Sequence, residues 1–363
     1  MERGELICNH LLLAGVQPFR MGFRTHNFAR MLVTSGLLAG LVTPASATPQ
    51  QPAPLQSAPL QQGPDGTIRV DVSLVLVEAT VKSRAGKVME GLKPEDFQVL
   101  EDGVPQTVMH FSVDQLPLAV AMVVDLSASI APFLRPLRYA TLSALKALKP
   151  EDEVALFTFS TRVNRRVHLT RNRQSVAEEI EFFSTGGATN INRALYEAAR
   201  YLRTEAPSAR RVIVLVSDNV PNEDNGQGRQ RVLDEVLEAG ASVYSLKVPG
   251  DNPIGAGILA RTSRGLVNVS KIAEETGGEV FEVQKEGSLF LAFEALIERL
   301  KTRYTLGYYS TNKTEDGSLR RLEISLEPRL GKKGRDYRIV AKSGYYGPRP
   351  QPSESRPPER RPD

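Results

Sequence analysis

Residues 125–129, DLSAS, place a carboxylate and two hydroxyl groups at alternating positions: Asp125, Ser127 and Ser129. These are hard oxygen ligands, the kind that proteins use for small divalent cations. The segment directly follows the apolar run Leu118 to Val124, which predicts a loop between a strand and a helix. In such a loop the three side chains can turn toward one point and hold a cation. The alternative is that a Ser or Asp of this segment caps the helix that follows.

Two further loops carry oxygen side chains. Residues 186–190, GGATN, precede a helical stretch that starts near Asn192, and the two glycines allow a tight loop that presents the Thr189 hydroxyl. The apolar run Val212 to Val216 ends in Ser217-Asp218-Asn219. The sequence therefore predicts a second carboxylate, that of Asp218, at the carboxyl end of a strand.

Residues 116–300 alternate between short apolar runs and amphipathic stretches. This alternation predicts an α/β fold with a doubly wound, mostly parallel sheet that helices cover on both faces. If the strand order is 3-2-1-4-5-6, the first strand lies beside the strand that ends at Asp218, and all three loops meet at one edge of the sheet. The predicted strands are Leu118 to Val124, Val154 to Phe159, Val212 to Val216, Val243 to Val248 and Val280 to Val283, with Val163 to Thr170 as an antiparallel edge strand. The predicted helices are Phe133 to Leu148, Asn192 to Leu202, Arg229 to Ala239, Leu266 to Thr276 and Ser288 to Arg303.

The sequence on either side of this α/β region is typical of β structure. Residues 67–115 predict an N-terminal β module, and residues 301–347 predict a C-terminal β segment. Because β segments flank the α/β region on both sides, we expect them to pack as one small β-sandwich with the α/β domain inserted. The predicted strands are residues 68–80, Phe97 to Leu100, Val108 to Val113, Tyr304 to Tyr309, Leu322 to Leu326 and Tyr337 to Ala341, with turns at residues 83–86, 101–103, 315–317 and 331–334.

The three loops resemble the von Willebrand factor type A (VWA) family, which has a Rossmann-like fold. Its metal-ion-dependent adhesion site combines D-x-S-x-S with a later Thr and a later Asp, in the order found here. The resemblance implies that Asp125, Ser127, Ser129, Thr189 and Asp218 bind Mg²⁺, or Mn²⁺ in its place. The flanks, with VDVSLVLVEATVKSRAGKVMEGLKPEDFQVLEDGVPQ before the domain and YTLGYY after it, resemble an acidobacterial subfamily of VWA-related proteins.

The ligand set that the resemblance implies indicates adhesion and not catalysis. Two carboxylates balance a divalent cation, and one coordination position stays open to an acidic side chain of a partner protein. Many family members have Gly after the third-element Asp, where this chain has Asn219; Asn tolerates positive φ best among the other residues, so we expect the turn to survive. One alternative is a structural protein of the cell envelope that assembles without metal. A hydrolase would need a base and a nucleophile that the sequence does not display.

Other chemistry-bearing residues are better explained structurally. Residues 143–146, SALK, match an S-x-x-K pattern without its partner motifs, and they lie on a predicted helix. His168 lies in the predicted edge strand without other metal ligands at a suitable spacing, and His110 lies in a β stretch. No dinucleotide-binding, P-loop or H-E-x-x-H motif occurs. The formal charge of +4 is too small for a nucleic-acid-binding surface.

The N-terminal residues 1–47 predict an export signal. Arg20, Arg24 and Arg30 precede the apolar stretch Met31 to Val42, and residues 45–47, ASA, fit a cleavage site. We therefore expect an exported, periplasmic or extracellular protein, with an N-terminal membrane anchor as the alternative and Met21 as an alternative start. After cleavage no apolar run is long enough to span a bilayer, and Cys8, the only cysteine, is lost.

Three segments outside the predicted elements complete the organisation. Residues 48–66 and 348–363 predict a disordered linker and a disordered tail, because they are rich in Pro and polar residues. The long loop from Pro249 to Gly265 follows the fifth strand, on the same rim as the predicted metal site. Loops at that rim often select the partner, and a mobile connection is the alternative.

Overall fold

The computed structural model describes residues 74–113, 116–220, 228–250, 268–327 and 337–350. All of them belong to one compact unit, Ile68–Asp363. The strands are β1 (Leu74–Ser83), β2 (Phe97–Glu101), β3 (Val104–Gln106), β4 (His110–Val113), β5 (Leu118–Asp125), β6 (Glu153–Phe159), β7 (Val163–Thr170), β8 (Arg210–Ser217), β9 (Ser242–Lys247), β10 (Val280–Glu282), β11 (Tyr304–Tyr309), β12 (Leu319–Leu326), β13 (Tyr337–Ala341) and β14 (Gly344–Tyr346). The helices are α1 (Leu134–Ala147), α2 (Arg173–Glu181), α3 (Ile191–Glu205), α4 (Arg229–Glu238), α5 (Val269–Glu275) and α6 (Leu289–Lys301).

The α/β part is built on a six-stranded sheet of order β10-β9-β8-β5-β6-β7. All neighbouring strands are parallel except β7, which runs antiparallel to β6 at the edge. Counted along the chain, this is the predicted order 3-2-1-4-5-6 read from the opposite edge. The prediction that the first strand lies beside the strand ending at Asp218 is confirmed, because β5 pairs with β8.

Strand β5 is buried along its whole length because helices cover both faces of the sheet. Its Val120, Met122 and Val124 pack against helices α1, α2 and α6. The alternate residues Ala119, Ala121 and Val123 pack against α3, α4 and α5 on the other face. A strand buried on both sides needs apolar residues at every position, which is why its sequence is a continuous apolar run.

The β segments on the two sides of the α/β part form two four-stranded antiparallel sheets. Their orders are β13-β1-β11-β4 and β14-β12-β2-β3, so each sheet combines strands from before and after the α/β part. The two sheets enclose a shared core that includes Val77, Phe97, Val99, Tyr304 and Leu306. The expected sandwich with an inserted α/β domain is confirmed, because the chain leaves it after β4 and returns at β11, which pairs with β4.

Short elements were missed by sequence analysis. Helix α2 buries only Val176 and Ile180, so its apolar pattern is too sparse to predict a helix; Asn172 caps its N-terminus by accepting hydrogen bonds from two backbone N–H groups. Strands β3 and β14 have three residues each, too few for a period-two pattern.

Several sequence predictions lie outside the described residues. They are the export signal 1–47, the linker 48–66, the start of the first strand at 68–73, the turn at 331–334, the tail beyond residue 350 and all but the first two residues of the loop 249–265. In the described part of the chain, no helix combines the length and apolar character needed to cross a membrane.

Candidate functional site

Asp125 is the last residue of β5 and lies at the carboxyl edge of the sheet. The register pairs Val124 with Val216 of β8, which brings Asp125 beside Ser217. The Asp125 carboxylate is 0% exposed. Its Oδ1 accepts a hydrogen bond from the Ser127 backbone N–H at 2.8 Å, and its Oδ2 accepts one from the Ser217 hydroxyl at 2.6 Å.

A chain of hydroxyl groups joins this loop to Asp218. The Ser127 and Ser129 hydroxyl oxygens are 3.2 Å apart, and Ser129 donates to Asp218 Oδ2 at 2.7 Å. Ser127 occupies the N-cap position of a short 3₁₀ helix, Ala128–Phe133, but its side chain makes no capping hydrogen bond. The helix-cap alternative therefore does not account for the Ser127 hydroxyl, which contacts Ser129.

The loop that carries Thr189 is tied to the DLSAS loop. The Gly186 N–H donates to the Leu126 carbonyl at 2.7 Å. Gly187 has a φ of +92°, and a Cβ there would lie 2.9 Å from Thr161 Oγ1, so a glycine is needed for both its conformation and its space. Thr189 follows, 3% exposed, immediately before Asn190, the N-cap of α3. The structure thus places all three predicted loops at one edge of the sheet.

Asn219 adopts the left-handed conformation that its position demands. Its φ is +60°, and its side-chain oxygen accepts a hydrogen bond from the Ser245 hydroxyl at 2.9 Å. The expectation that Asn maintains the turn in place of Gly is confirmed. On the other side of the loop Gly250 leaves room for the carboxylate, since a Cβ there would lie 2.8 Å from Asp218 Oδ2.

Burial raises the pKa of Asp125 to about 6. The Ser217 and Ser127 hydrogen bonds oppose this increase, while the charge of Asp218 adds to it. Among the described residues, no Lys or Arg forms an ion pair with Asp125 or Asp218. Two neighbouring carboxylates without a cationic partner are costly unless a cation joins them.

The donor set fits a hard divalent cation. Two carboxylates and the hydroxyl groups around them are oxygen ligands of the kind that Mg²⁺ and Mn²⁺ prefer. Within the described ranges, no three His, Cys, Asp or Glu side chains form a group that could hold a metal ion. Metal binding at this site would therefore depend on the Ser and Thr hydroxyls as well as on the two carboxylates.

Two hydroxyl residues outside the predicted ligand set, Ser217 and Thr161 after β6, support the site. Ser217 donates to Asp125 and accepts a hydrogen bond from the Asn219 N–H at 3.1 Å, so it joins the first loop to the third. Thr161 accepts a hydrogen bond from the Ala188 N–H at 3.1 Å and supports the loop of Thr189. Ser217 could have been found from the sequence, because its hydroxyl group directly precedes Asp218 at the end of a predicted strand.

The residues that sequence analysis set aside lie away from this edge or on the surface. Ser143 is half-buried and Lys146 exposed on α1, as expected for that pair. His168 is exposed on β7 beside the ring of Tyr201, which confirms a surface position. His110 is exposed on β4, with its ring against Tyr309.

Residues 120–220 match the family model of the von Willebrand factor type A domain. The match spans the candidate site from Asp125 to Asp218. A comparison with curated proteins found no match. The resemblance of the flanks to an acidobacterial subfamily stays a prediction.

A comparison with solved structures matched several bacterial proteins. A von Willebrand factor type A protein from Catenulispora acidiphila is 12% identical over 77% of this chain and 74% of that chain, with a TM-score of 0.44. The conserved hypothetical protein BatB from Bacteroides thetaiotaomicron is 16% identical over 51% of this chain and 100% of that chain, with a TM-score of 0.40. The von Willebrand factor domain of the type V pili tip protein Mfa5 from Porphyromonas gingivalis is 11% identical over 51% of this chain and 95% of that chain, with a TM-score of 0.41. The strand order of the α/β part agrees with the family match, so residues 120–220, which include the candidate site, form part of a von Willebrand factor type A domain.

Proposed function

We propose that this protein is an exported binding module, not an enzyme, that captures a partner protein through a divalent cation. Asp125, Ser127, Ser129, Thr189 and Asp218 would hold Mg²⁺, or Mn²⁺ in its place. The cation would then accept an acidic side chain of the partner at its open coordination position. Von Willebrand factor type A domains serve as protein-interaction modules, which supports the assignment to this class.

The proposal rests on one observation. Two buried carboxylates lie close together at the edge of the sheet, and no Lys or Arg among the described residues forms an ion pair with either of them. Asp125 is 0% exposed and Asp218 is 8% exposed. The hydrogen-bond chain through Ser129 aligns the Asp218 carboxylate with the hydroxyls of the DLSAS loop. The free energy that these charges cost in the metal-free protein is recovered when a cation binds between them.

Isothermal titration of the metal-free protein with MgCl₂ or MnCl₂ tests the metal site. Wild-type protein should bind one cation. Asp218→Ala removes one of the two carboxylates and should weaken binding at least about tenfold, which corresponds to about 1.4 kcal/mol. Asp152→Ala is the matched control, because Asp152 is also buried but caps backbone N–H groups at the opposite end of the sheet. Absence of binding to wild-type protein, or equal binding by Asp218→Ala, contradicts the metal site.

Partner capture is tested with envelope extract and immobilised protein, in Mg²⁺ and in EDTA. In Mg²⁺, wild-type protein and Asp152→Ala should capture the same set of proteins. These proteins should not be captured in EDTA, or by Asp218→Ala. Capture that is unchanged by EDTA supports instead a structural envelope protein that assembles without metal. Fractionation of the expressing cells tests export, because the proposal places the mature chain in the periplasm or outside the cell.

A further inference from the structure

A pocket lined by several charged and hydroxyl side chains lies at the opposite end of the α/β sheet, where it meets the sandwich. Its volume is about 210 Å³, and its lining includes Arg211 and Ser242 from the starts of β8 and β9, Glu78 and Thr305 from the sandwich strands β1 and β11, and Lys342. Asp218 lies seven positions after Arg211, just beyond the end of β8, which is roughly 23 Å at the rise of a strand. This pocket is therefore separate from the candidate metal site.

Within the described part of the chain, Arg211 makes few hydrogen bonds. Its Nη1 makes only two long hydrogen bonds, at 3.4 Å, to the carbonyls of Ala206 and Pro207 at the end of α3. Its Nε is buried, and no group among the described residues accepts a hydrogen bond from it. Desolvation lowers the pKa of Arg211, although the charge of Glu78 opposes this. A guanidinium group has five N–H donors, so this one can still bind an acceptor within the pocket.

Lys342 is a second cation without a carboxylate partner. Its ammonium group donates to the Leu76 carbonyl at 2.9 Å, and no described Asp or Glu forms an ion pair with it. Burial lowers its pKa to about 8; Glu78 opposes the change, while the positive charges of Arg211 and Arg303 add to it. The positive charge of Lys342 is thus only partly balanced in this pocket.

Glu78 is the pocket's carboxylate, and other cations already engage it. Its Oε1 lies 3.1 Å from Arg210 Nε and its Oε2 lies 3.1 Å from Arg303 Nη1. Both carboxylate oxygens are therefore already in ion pairs, although Glu78 also lines the pocket. Arg211 and Lys342 face the pocket without a carboxylate of their own.

We propose that this pocket binds a small oxyanion, of the phosphate or carboxylate type, through Arg211 and Lys342. Charge-assisted hydrogen bonds from a guanidinium and an ammonium group are the usual means of binding such an anion. The hydroxyls of Ser242 and Thr305, which line the same pocket, add neutral donors. Arg211 belongs to the α/β sheet, and Lys342 lies between the sandwich strands β13 and β14. The anion would therefore link the two parts of the fold.

Isothermal titration with inorganic phosphate, in EDTA and at constant ionic strength, tests this proposal. We expect saturable binding by wild-type protein and at least tenfold weaker binding by Arg211→Gln and Lys342→Gln. Both substitutions remove a charge that is costly to bury, so the variants should fold. Arg166→Gln is the control, because Arg166 is an exposed β7 residue paired with Glu179. Sulfate and acetate titrations then show which oxyanion class the pocket prefers.

Three outcomes overturn the proposal. The first is that wild-type protein binds none of the three anions saturably. The second is that both Gln variants bind the anions as tightly as wild type does. The third is that Asp218→Ala abolishes anion binding. The last outcome would place the anion at the candidate metal site. If Asp218→Ala loses Mg²⁺ binding and still binds phosphate, the two sites are independent. The proposal of an anion site then does not depend on the result of the metal titration.

Discussion

Asp125→Asn should stabilise the metal-free protein while it abolishes the response to metal. Burial raises the pKa of Asp125 from 3.8 to about 6. At neutral pH the ionised carboxylate therefore costs the folded state about 3 kcal/mol relative to the protonated acid. Asn has nearly the same shape as the protonated acid and carries no charge, so Asp125→Asn should raise the free energy of unfolding by about that amount at pH 7.

The sign of this effect predicts its pH dependence. Because the folded pKa is above the unfolded value, the contribution of Asp125 to stability is fully present below pH 4 and is lost as the pH rises through about 6. The variant and the wild type should thus have equal stability near pH 4 and differ most above pH 7. Urea unfolding in EDTA at pH 4, 5, 6 and 7, followed by circular dichroism, measures the difference.

Mg²⁺ should reverse the order of stability at pH 7. Saturating Mg²⁺ raises the free energy of unfolding of the wild type according to its affinity and leaves Asp125→Asn unchanged. Asp152→Asn is the control: this buried carboxylate accepts hydrogen bonds from the Leu118 and Lys149 N–H groups, and its loss should destabilise the protein by about 1–3 kcal/mol with or without Mg²⁺. The reasoning is refuted if Asp125→Asn is less stable than wild type in EDTA at pH 7, or if the difference is the same at every pH.

Substitutions at three further positions test the geometry. Asn219→Ala should lower the free energy of unfolding by about 1–2 kcal/mol, because the φ of this residue is +60°. Asn219→Gly should lower it by less. Equal losses in urea unfolding would show that the backbone is not strained there. Gly250→Ala should weaken Mg²⁺ binding in calorimetry by displacing the Asp218 carboxylate, and an unchanged affinity would contradict the close contact. Glu101→Gln breaks a buried ion pair with Arg320 and should destabilise the protein by about 3–5 kcal/mol in thermal or urea unfolding; a loss below 1 kcal/mol would contradict this role.

Most of the α/β fold could be predicted because burial leaves a local pattern. Strand β7 has the predicted bounds, Val163–Thr170, and helix α4 begins at the predicted Arg229. Strand β5 extends one residue beyond the predicted run, to Asp125, because the backbone of this residue still pairs with Phe159 of β6. Helix α2 could not be predicted, since only two of its residues enter the core.

The residues of the candidate site could be predicted from the sequence, but the hydrogen bonds that join their loops could not. Asp125, Thr189 and Asp218 each follow a pattern that marks a loop at the sheet edge. The hydrogen bonds of Ser217 to Asp125 and of Thr161 to Ala188 depend on which strands are neighbours and in what register. The sequence pattern of one segment contains no information on such contacts.

The sequence alone determined the alternation of strands and helices, because each segment's apolar spacing records whether one or both of its faces are buried. It also placed Asp125 and Asp218 of the candidate metal site at strand ends and Thr189 in a loop before a helix. Only the tertiary structure decided that the flanking strands interleave in both sheets of the sandwich, and that Arg211 and Lys342 face one pocket. Those contacts join residues far apart in the chain, and they follow from the register and packing of whole sheets.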